Sequence, residues 1–240
     1  MALPPDVRGV LLDIEGTTSS ISYVHDVMFP FAADRLEDFL STTASSELAD
    51  VFDLIAKDAG YESCAAWQQA TGDEGIALVT NEVRRLMAAD VKATGLKALQ
   101  GLIWKDGFES GILKAHIYPD VIPAIKQWRA SGIDVRIYSS GSVAAQKLFF
   151  GHLDGEGDCL SLFSGHYDTT TGGKKEPDSY TAVANDWELA PQEILFISDI
   201  AGELTAAAQA GFQARASVRP GNAPLPSDFK IPTVQSFEEL

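Results

Sequence analysis

The sequence predicts an α/β protein, a doubly wound parallel sheet with an all-helical segment inserted after the first strand. Short apolar runs that stop at polar residues predict the strands, and helical patterns alternate with them from about residue 117 to the end. From about residue 24 to 115, amphipathic helical patterns follow one another without a convincing strand. The first strand therefore has no sheet neighbour for about a hundred residues, which indicates an insertion into the first strand–helix connection.

The strands are predicted by apolar runs, because parallel strands are buried on both faces. The four runs are Val10–Leu12, Val135–Tyr138, Ile194–Ile197 and Phe212–Val218. The first ends at Asp13, the second at Ser139-Ser140-Gly141 and the third at Ser198-Asp199.

The helices are predicted by apolar residues at helical spacing with glycine or proline at the ends. In the sheet portion they cover Pro119–Gly132, Ser142–Phe150 and Pro177–Trp187. In the insertion one helix carries Leu48 to Ile55 and stops at Gly60, and the others run over Gly75–Asp90 and Gly95–Gly107. We therefore expect a core of residues 1–20 and 117–240 and a helical insert of residues 21–116.

The charge balance restricts the partners. The chain has 240 residues, with 18 Lys and Arg against 34 Asp and Glu, for a net charge of −16. Such a surface repels a phosphate backbone, so we expect no nucleic-acid partner. A site for a small anion would need local positive charge from a metal, a lysine or backbone N–H groups.

The cysteines and the apolar runs bear on location. Cys64 and Cys159 lie far apart, and no secretory leader is recognisable at the start of the chain. No apolar run approaches the about 20 residues of a spanning helix. We expect a cytoplasmic monomer without a membrane partner, with the nucleus as an additional location in a eukaryote.

Polar residues directly after the strands are candidates for a site, because ligands of open α/β sheets bind outside the carboxyl ends of the strands. Asp13, Ser139 and Asp199 each occupy such a position. With 34 acidic residues in the chain, a single acid is weak support. If the three strands are neighbours, their side chains converge.

The converging residues suit phosphoryl transfer. Asp13 and Asp199 are hard oxygen ligands of the kind that Mg²⁺ takes. Lys174 precedes a helix that begins at Pro177. Ser139-Ser140-Gly141 stands where another helix begins, and the N-terminus of a helix favours the binding of phosphate oxygens. A carboxylate nucleophile, a metal, a lysine and hydroxyl donors are the parts of such a site.

Ordinary structural interpretations remain open for the same residues. Lys174-Lys175 also fits a solvated turn, and Ser139 to Ser142 also fit an N-cap cluster. Asp199 also fits a residue that caps the following helix, and Glu203 also fits a surface acid. The four histidines have no metal-ligand spacing, and Gly-x-Ser-x-Gly, P-loop and dinucleotide signatures are absent.

Four segments in order resemble the motifs of the haloacid dehalogenase superfamily. They are Asp13-Ile14-Glu15-Gly16-Thr17-Thr18, Tyr138-Ser139-Ser140-Gly141-Ser142, Lys174 with Pro177-Asp178, and Ser198-Asp199 with Glu203. That superfamily usually has Asp-x-Asp in its first motif, whereas Asp-Ile-Glu-Gly-Thr-Thr is similar to the enolase-phosphatase branch of methionine salvage. Further similar stretches are Leu96–Trp104, Ile137–Leu148 and Val218–Ala223, so the resemblance includes the helical insert.

The resemblance implies a Rossmann-like core with an α-helical cap and one Mg²⁺ per subunit. The implied reaction enolises 2,3-diketo-5-methylthiopentyl-1-phosphate and removes its phosphate, giving the acireductone 1,2-dihydroxy-3-keto-5-methylthiopentene. Asp13 would be a metal ligand and the nucleophile, Asp199 a metal ligand, and Glu15 a ligand through its backbone carbonyl. Ser139, Ser140 and Lys174 would hold the phosphate. Glu15 is also a candidate base for the enolisation, by position.

The cap and the rival functions complete the expectations. Trp104, Lys105 and Lys114 are candidates for substrate contacts from the cap, although Trp104 also fits packing between cap helices. A rival enzyme is a phosphatase of the same superfamily with another small phosphate ester as substrate. A phospho-receiver is a more remote rival, because a receiver has its lysine last in the chain, whereas here Asp199 follows Lys174. An inactive interaction protein is also a remote rival.

Overall fold

The structure, a computed structural model, describes residues 3–240 and divides into two compact units. One unit holds the chain up to Val24 together with Lys114–Leu240, and the other holds His25–Leu113. No helix in the described part of the chain is both long enough and apolar enough to cross a membrane.

The first unit contains a six-stranded parallel sheet. Its strands are β1 (Gly9–Leu12), β2 (Asp134–Tyr138), β3 (Gly165–Tyr167), β4 (Ile194–Ser198), β5 (Gln213–Ser217) and β6 (Thr233–Val234), in the order β3-β2-β1-β4-β5-β6. Leu12 is in register with Ile137 of β2 and Ile197 of β4. The residues that follow these three strands therefore lie at the same edge, with β1 in the middle.

The predicted doubly wound α/β class is confirmed, and the structure adds two strands. The four strands expected from apolar runs are β1, β2, β4 and β5. The two additional strands, β3 and β6, have only 3 and 2 residues and pair at the two ends of the sheet. Strands this short leave too few residues for an apolar run, which explains why the pattern did not predict them.

Helices connect the strands of the first unit. They are α1 (Ile21–Tyr23), α7 (Val121–Ala130), α8 (Val143–Gly151), α9 (Pro177–Trp187) and α10 (Ala201–Gln209), numbered with the helices of the other unit in chain order. Tyr180 of α9 is fully buried against the sheet, where its ring meets those of Tyr138, Phe196 and Phe212. This aromatic cluster fixes α9, and with it the loop that precedes α9, on the sheet.

The second unit is all-helical in its described residues. After the π-helical turn Val24–Met28 it contains α2 (Phe29–Thr42), α3 (Ser45–Asp58), α4 (Cys64–Thr71), α5 (Gly75–Ala88) and α6 (Thr94–Glu109). Gly95 permits α6 to approach α3, because a Cβ atom at Gly95 would lie 2.5 Å from the backbone nitrogen of Ile55. The Asp58 carboxylate accepts the N–H of Gly95 at 2.6 Å, which stabilises the start of α6.

Candidate active site

Asp13 lies at the centre of the sheet edge. It follows β1, its N–H donates to the Ile197 carbonyl at 3.0 Å, and the residue is 5% exposed. Its Oδ1 accepts the N–H of Ile14 at 2.8 Å and lies 2.7 Å from Lys174 Nζ. Its Oδ2 lies 3.2 Å from the Ser198 hydroxyl. The two oxygens of Asp13 are therefore in different environments.

The loop after Asp13 is a tight turn that only glycine permits. The N–H groups of Thr17, Thr18 and Ser19 all point at the Ile14 carbonyl, at 2.9 to 3.2 Å. Gly16 has φ +69°, and a Cβ atom there would collide with the Asp199 carboxylate. The turn thus brings the backbone of the loop against Asp199.

Lys174 lies between two carboxylates. Its Nζ is 2.7 Å from Asp13 Oδ1 and 2.7 Å from Glu203 Oε2, and its side chain is 7% exposed. Burial alone would lower the pKa of Lys174, but the Asp13 and Glu203 carboxylates outweigh it and raise the pKa above its usual value. The interpretation of Lys174 as a solvated turn residue is therefore wrong.

Three hydroxyl groups hold the loop that carries Lys174. Tyr180 donates to the Lys174 carbonyl at 2.7 Å, Ser179 to the Gly173 carbonyl at 2.8 Å, and Tyr138 to the Gly172 carbonyl at 2.9 Å. Because these donors stand on α9 and β2, the position of Lys174 is fixed by the core of the sheet.

Glu203 and Ser198 complete the charged cluster. Glu203 is 8% exposed, and its Oε2 lies 3.0 Å from the Ser198 hydroxyl, which also accepts the N–H of Ile200. Burial, followed by the Asp13 carboxylate, raises the pKa of Glu203. Glu203 is a buried partner of Lys174, so its interpretation as a surface acid is wrong.

Asp199 is the third buried acid at this edge. It is 7% exposed, and burial together with the Asp13 carboxylate raises its pKa to about 7. The N-cap of α10 is Ile200, without a side-chain cap, so Asp199 does not cap that helix. Three buried acids, Asp13, Asp199 and Glu203, thus lie at this edge with one buried lysine, which pairs with Asp13 and Glu203, and the cluster carries an excess of negative charge when all are ionised.

This charge excess fits a divalent cation. Mg²⁺ binds one or two protein carboxylates and completes its octahedron with waters and substrate oxygens. No group of three or more His, Cys, Asp or Glu side chains that could hold a metal occurs in residues 3–240, so a cation here would have few side-chain ligands. Glu15 stands in the turn, partly buried, in a bridge with Ser19. The next residue of this turn, Gly16, is the one that approaches the Asp199 carboxylate.

Ser139 and Ser140 stand in different environments after β2. Ser139 is 4% exposed, its N–H donates to the Tyr167 carbonyl at 3.2 Å, and its hydroxyl accepts the N–H of Gly141 at 3.3 Å. Ser140 is exposed. The cap of α8 is Ser142, whose hydroxyl accepts the N–H of Ala145, so the N-cap interpretation holds for Ser142 alone.

Some residues near this edge escaped the sequence analysis. Asp168 follows β3, is buried, and accepts the N–H of Val143 at 3.0 Å and the Thr170 hydroxyl at 2.6 Å. Gln146 donates to the Gly141 and Tyr167 carbonyls, each at 2.8 Å. The strand that precedes Asp168 is too short to have predicted it. Once that strand is known, Asp168 is a candidate site residue because it is a polar residue directly after a strand.

Each of the three cap candidates has a partner of its own. Trp104 donates from Nε1 to the Met28 carbonyl at 2.8 Å and packs against the core of the helical unit. Lys105 pairs with Glu109 at 3.8 Å, and Lys114 pairs with Asp154 at 3.7 Å. Their roles in substrate binding stay predictions, as do the catalytic and binding roles of Asp13, Glu15, Ser139, Ser140, Lys174 and Asp199.

Comparison with known families decides the assignment. The profile of the hydrolase family described as haloacid dehalogenase-like hydrolase matches residues 7–211. The chain belongs to the haloacid dehalogenase-like hydrolases. The match covers β1 to α10, including the helical unit, so the resemblance seen in the four motifs is confirmed.

Relatives of this haloacid dehalogenase-like hydrolase are similar to it over all or nearly all of their length. The chain is 45% identical to enolase-phosphatase E1 of Synechococcus elongatus, with 100% of both chains covered. It is 44% identical to enolase-phosphatase E1 of Drosophila willistoni, with 94% of this chain and 92% of the relative covered. It is 43% identical to enolase-phosphatase E1 of Klebsiella pneumoniae, with 98% of this chain and 96% of the relative covered. The expected enolase-phosphatase branch is confirmed.

Solved structures agree with the fold. The UTR4 protein of Saccharomyces cerevisiae superposes with a TM-score of 0.81 at 34% identity, covering 98% of this chain and 100% of that one. CbbY of Rhodobacter sphaeroides in complex with xylulose-(1,5)bisphosphate gives a TM-score of 0.58 at 16% identity, over 98% and 96%. At that identity the second comparison supports the fold alone.

Proposed function

We propose that this haloacid dehalogenase-like hydrolase is a bifunctional, Mg²⁺-dependent enolase-phosphatase of methionine salvage. It would convert 2,3-diketo-5-methylthiopentyl-1-phosphate into 1,2-dihydroxy-3-keto-5-methylthiopentene and phosphate. The observation that carries the proposal is full-length identity of 45% with an enolase-phosphatase E1, which includes the helical unit as well as the sheet.

The residues at the carboxyl edge of the sheet support the proposal of a metal site. Asp13 and Asp199 with their side chains and Glu15 with its backbone carbonyl would hold one Mg²⁺, where the charge excess of the acids favours a cation. When bound, the metal supplies a Lewis acid for a ketone oxygen during enolisation and for a phosphoryl oxygen during hydrolysis.

Lys174 supports phosphate binding. An ammonium group has three protons, and Asp13 and Glu203 take two of them in the structure. The third is available to a phosphoryl oxygen, and the Ser139 hydroxyl keeps its own proton while it accepts the N–H of Gly141. Ser140 is exposed beside it. These groups would hold the phosphate of the substrate.

Asp13 would act as the nucleophile with one carboxylate oxygen and hold the metal with the other. Oδ1 lies against Lys174 and the N–H of Ile14, and Oδ2 lies against the Ser198 hydroxyl. Attack by the Asp13 carboxylate on phosphorus breaks the bond between phosphorus and the ester oxygen of the enol phosphate, and that oxygen leaves and takes up a proton. Water then attacks the phosphorus of the aspartyl phosphate, which restores the carboxylate and releases phosphate and a proton.

The enolisation needs a base for a proton on the carbon that bears the phosphate. Glu15 is the candidate by its place in the loop, since it stands two residues after Asp13. Its carboxylate would take the proton, and the electron pair of the broken C–H bond would form the carbon–carbon double bond. The π electron pair of the adjacent ketone would move to its oxygen, which takes up a proton to complete the enol.

The test is an anaerobic assay with a synthetic 2,3-diketo-alkyl phosphate and, as a control substrate, a simple alkyl phosphate that cannot enolise. We expect phosphate from the diketo substrate with Mg²⁺, none with chelator, and little from the control substrate. Faster release from the control than from the diketo substrate would instead identify a phosphatase for another phosphate ester. Full phosphatase activity of Asp13→Asn would contradict the covalent step.

The helical unit and the assembly state belong to the same proposal. We assign the helical unit the role of a cap that excludes water from the sheet edge, and we propose that the enzyme works as a cytoplasmic monomer. Gel filtration at working concentration tests the monomer, and a dimer elution volume would contradict it.

A further inference from the structure

The segment after β5 contacts the tight turn of residues 14–19 that follows Asp13, which we call the catalytic turn. Residues 218–222 (Val-Arg-Pro-Gly-Asn) follow Ser217 and contain none of the proposed catalytic or phosphate-binding residues. The N–H of Asn222 donates to the Arg219 carbonyl at 3.1 Å, which closes a turn, and Gly221 has φ +87°. The turn brings the side chains of Arg219 and Asn222 to the loop that follows Asp13.

Three consecutive carbonyl groups of the catalytic turn accept donors from distant parts of the chain. Asn222 Nδ2 donates to the Gly16 carbonyl at 2.9 Å, and Arg219 Nε donates to the Thr17 carbonyl at 3.3 Å. The N–H of Tyr118 donates to the Thr18 carbonyl at 3.0 Å. The turn is thus held by donors from outside as well as by its internal hydrogen bonds to Ile14.

Asn222 also faces Asp199 across Gly16. Its Oδ1 is buried without a hydrogen-bond partner, and a Cβ atom at Gly16 would lie 2.9 Å from it and still closer to Asp199. The amide nitrogen is fixed as the donor, because it bonds both the Gly16 carbonyl and, at 3.1 Å, the Ser217 carbonyl. The amide oxygen therefore shares the space beside Gly16 with the Asp199 carboxylate.

Arg219 differs from Asn222 in being part of a buried structural network. Its guanidinium binds both oxygens of Asp120, at 3.1 and 2.7 Å, donates to the Gln235 carbonyl at 2.8 Å, and stacks over Tyr118 and Phe237. Removing Arg219 would disturb the fold as well as the turn. The Asn222 side chain donates only to two backbone carbonyls, so its substitution tests the effect on the turn apart from the effect on the fold.

We propose that Asn222 is a positioning residue of the active site. By holding the Gly16 carbonyl it fixes the turn between Asp13 and Thr18 relative to Asp199. This inference rests on the proposed metal site, since the residues it positions are the proposed Mg²⁺ ligands. Groups that orient metal ligands without touching the metal change affinity or activity by about 10- to 100-fold when removed.

The test compares Asn222→Ala and the isosteric Asn222→Asp with wild type, and takes Asn185→Asp as a control. Asn185 is an exposed residue of α9, and its substitution makes the same change in charge. Three quantities are measured: amide hydrogen exchange of Thr17 to Ser19 without metal, Mg²⁺ affinity by calorimetry without substrate, and kcat and KM with substrate.

We expect exchange at Thr17 to Ser19 to speed up in both Asn222 variants, while exchange in the sheet strands stays as in wild type. We expect Asn222→Ala to bind Mg²⁺ about 10-fold more weakly and both variants to lose about 10- to 100-fold in kcat with little change in KM. Asn185→Asp should match wild type throughout.

The inference would be overturned if Asn222→Ala showed the same amide exchange at Thr17 to Ser19 and the same Mg²⁺ affinity as wild type. It would also be overturned if amide exchange became faster throughout the sheet in both Asn222 variants. Failure of wild type to form the enol would instead overturn the proposed function. The exchange experiment needs neither substrate nor metal, so the two failures are distinguishable.

Discussion

The Nζ atom of Lys174 lies 2.7 Å from Oδ1 of Asp13, with both side chains 7% exposed. A buried ammonium group in contact with a carboxylate stays charged, as the raised pKa of Lys174 indicates. The contact holds the Asp13 carboxylate in place through Oδ1, and Oδ2 lies 3.2 Å from the Ser198 hydroxyl. It also carries a positive charge into a protein with a net charge of −16, at the place where a phosphate substrate would bind.

Lys174→Met should lower phosphate release by at least about 100-fold, because it removes a charged donor in a site shielded from water. The matched control is Lys175→Met, since Lys175 is the next residue and is exposed. The rate of phosphate release under saturating substrate is the measurement, with circular dichroism to establish that both variants fold. Equal rates in the two variants would contradict the proposed role of Lys174.

Gly16→Ala should abolish both steps of the reaction. Gly16 has φ +69°, and the added methyl group would strike the Asp199 carboxylate. The control is Gly155→Ala, because Gly155 has φ +78° with nothing within 4 Å of the added atom. We expect Gly155→Ala to lose about 1 kcal/mol of unfolding free energy and to keep its activity. An active Gly16→Ala enzyme would show that the turn does not need this close approach.

Asp120→Asn should destabilise the fold by about 3 kcal/mol at neutral pH, because it leaves Arg219 buried without its carboxylate. Burial opposes ionisation of Asp120, but hydrogen bonds from Arg219 and Phe237 outweigh it and lower the pKa of Asp120. The stability from Asp120 is therefore present above its unfolded pKa of about 3.9 and is lost as the pH falls through the lower folded value.

Urea unfolding at several pH values measures this difference, with Asp228→Asn, at an exposed position, as the control. The gap between wild type and Asp120→Asn should be largest near pH 7 and should narrow at low pH. A gap that is the same at all pH values would show that the effect comes from packing and not from the charge of Asp120.

His116 should make stability fall in mild acid. Its Nδ1 accepts the N–H of Ser20 at 3.2 Å, so this nitrogen carries no proton. Burial lowers the pKa of His116, and the ring lies beside those of Tyr23 and Tyr118. Stability from the neutral ring is full above the unfolded pKa of about 6.5 and is lost as the pH falls toward the lower folded value.

The comparison is urea unfolding of wild type and His116→Asn at pH 7.5 and pH 5.5. Wild type should lose more unfolding free energy between the two pH values than the variant does. An identical loss in both proteins would assign the pH dependence to other groups, of which His166, whose pKa is also lowered by burial, is one.

The strands that could be predicted from the sequence are those long enough to contain an apolar run, which indicates burial. β1 and β4 are buried throughout, and β4 is apolar up to Ser198, so the sequence also located Asp13 and Asp199 at their ends. The strand before Asp168 has 3 residues, of which Tyr167 alone is buried, and no periodicity is visible in so few positions. Asp168 was missed for that reason.

The contacts of Asn222 could not be predicted from local pattern. The residue stands in a polar loop without periodicity, and its partner Gly16 is 206 positions away. Likewise, the sequence showed Lys174 and Glu203 as separate polar residues, and only the packing of α9 and α10 on the sheet brings them within 2.7 Å. Side chains that act together across loops depend on tertiary packing, which composition and spacing do not describe.

The central claim is that one active site performs both enolisation and dephosphorylation. The most direct measurement follows ultraviolet absorbance of the enol and phosphate release in the same anaerobic sample, with limiting 2,3-diketo-5-methylthiopentyl-1-phosphate and Mg²⁺. The account predicts one enol product for each phosphate, and neither when chelator replaces Mg²⁺. Phosphate released without the conjugated enol would contradict it.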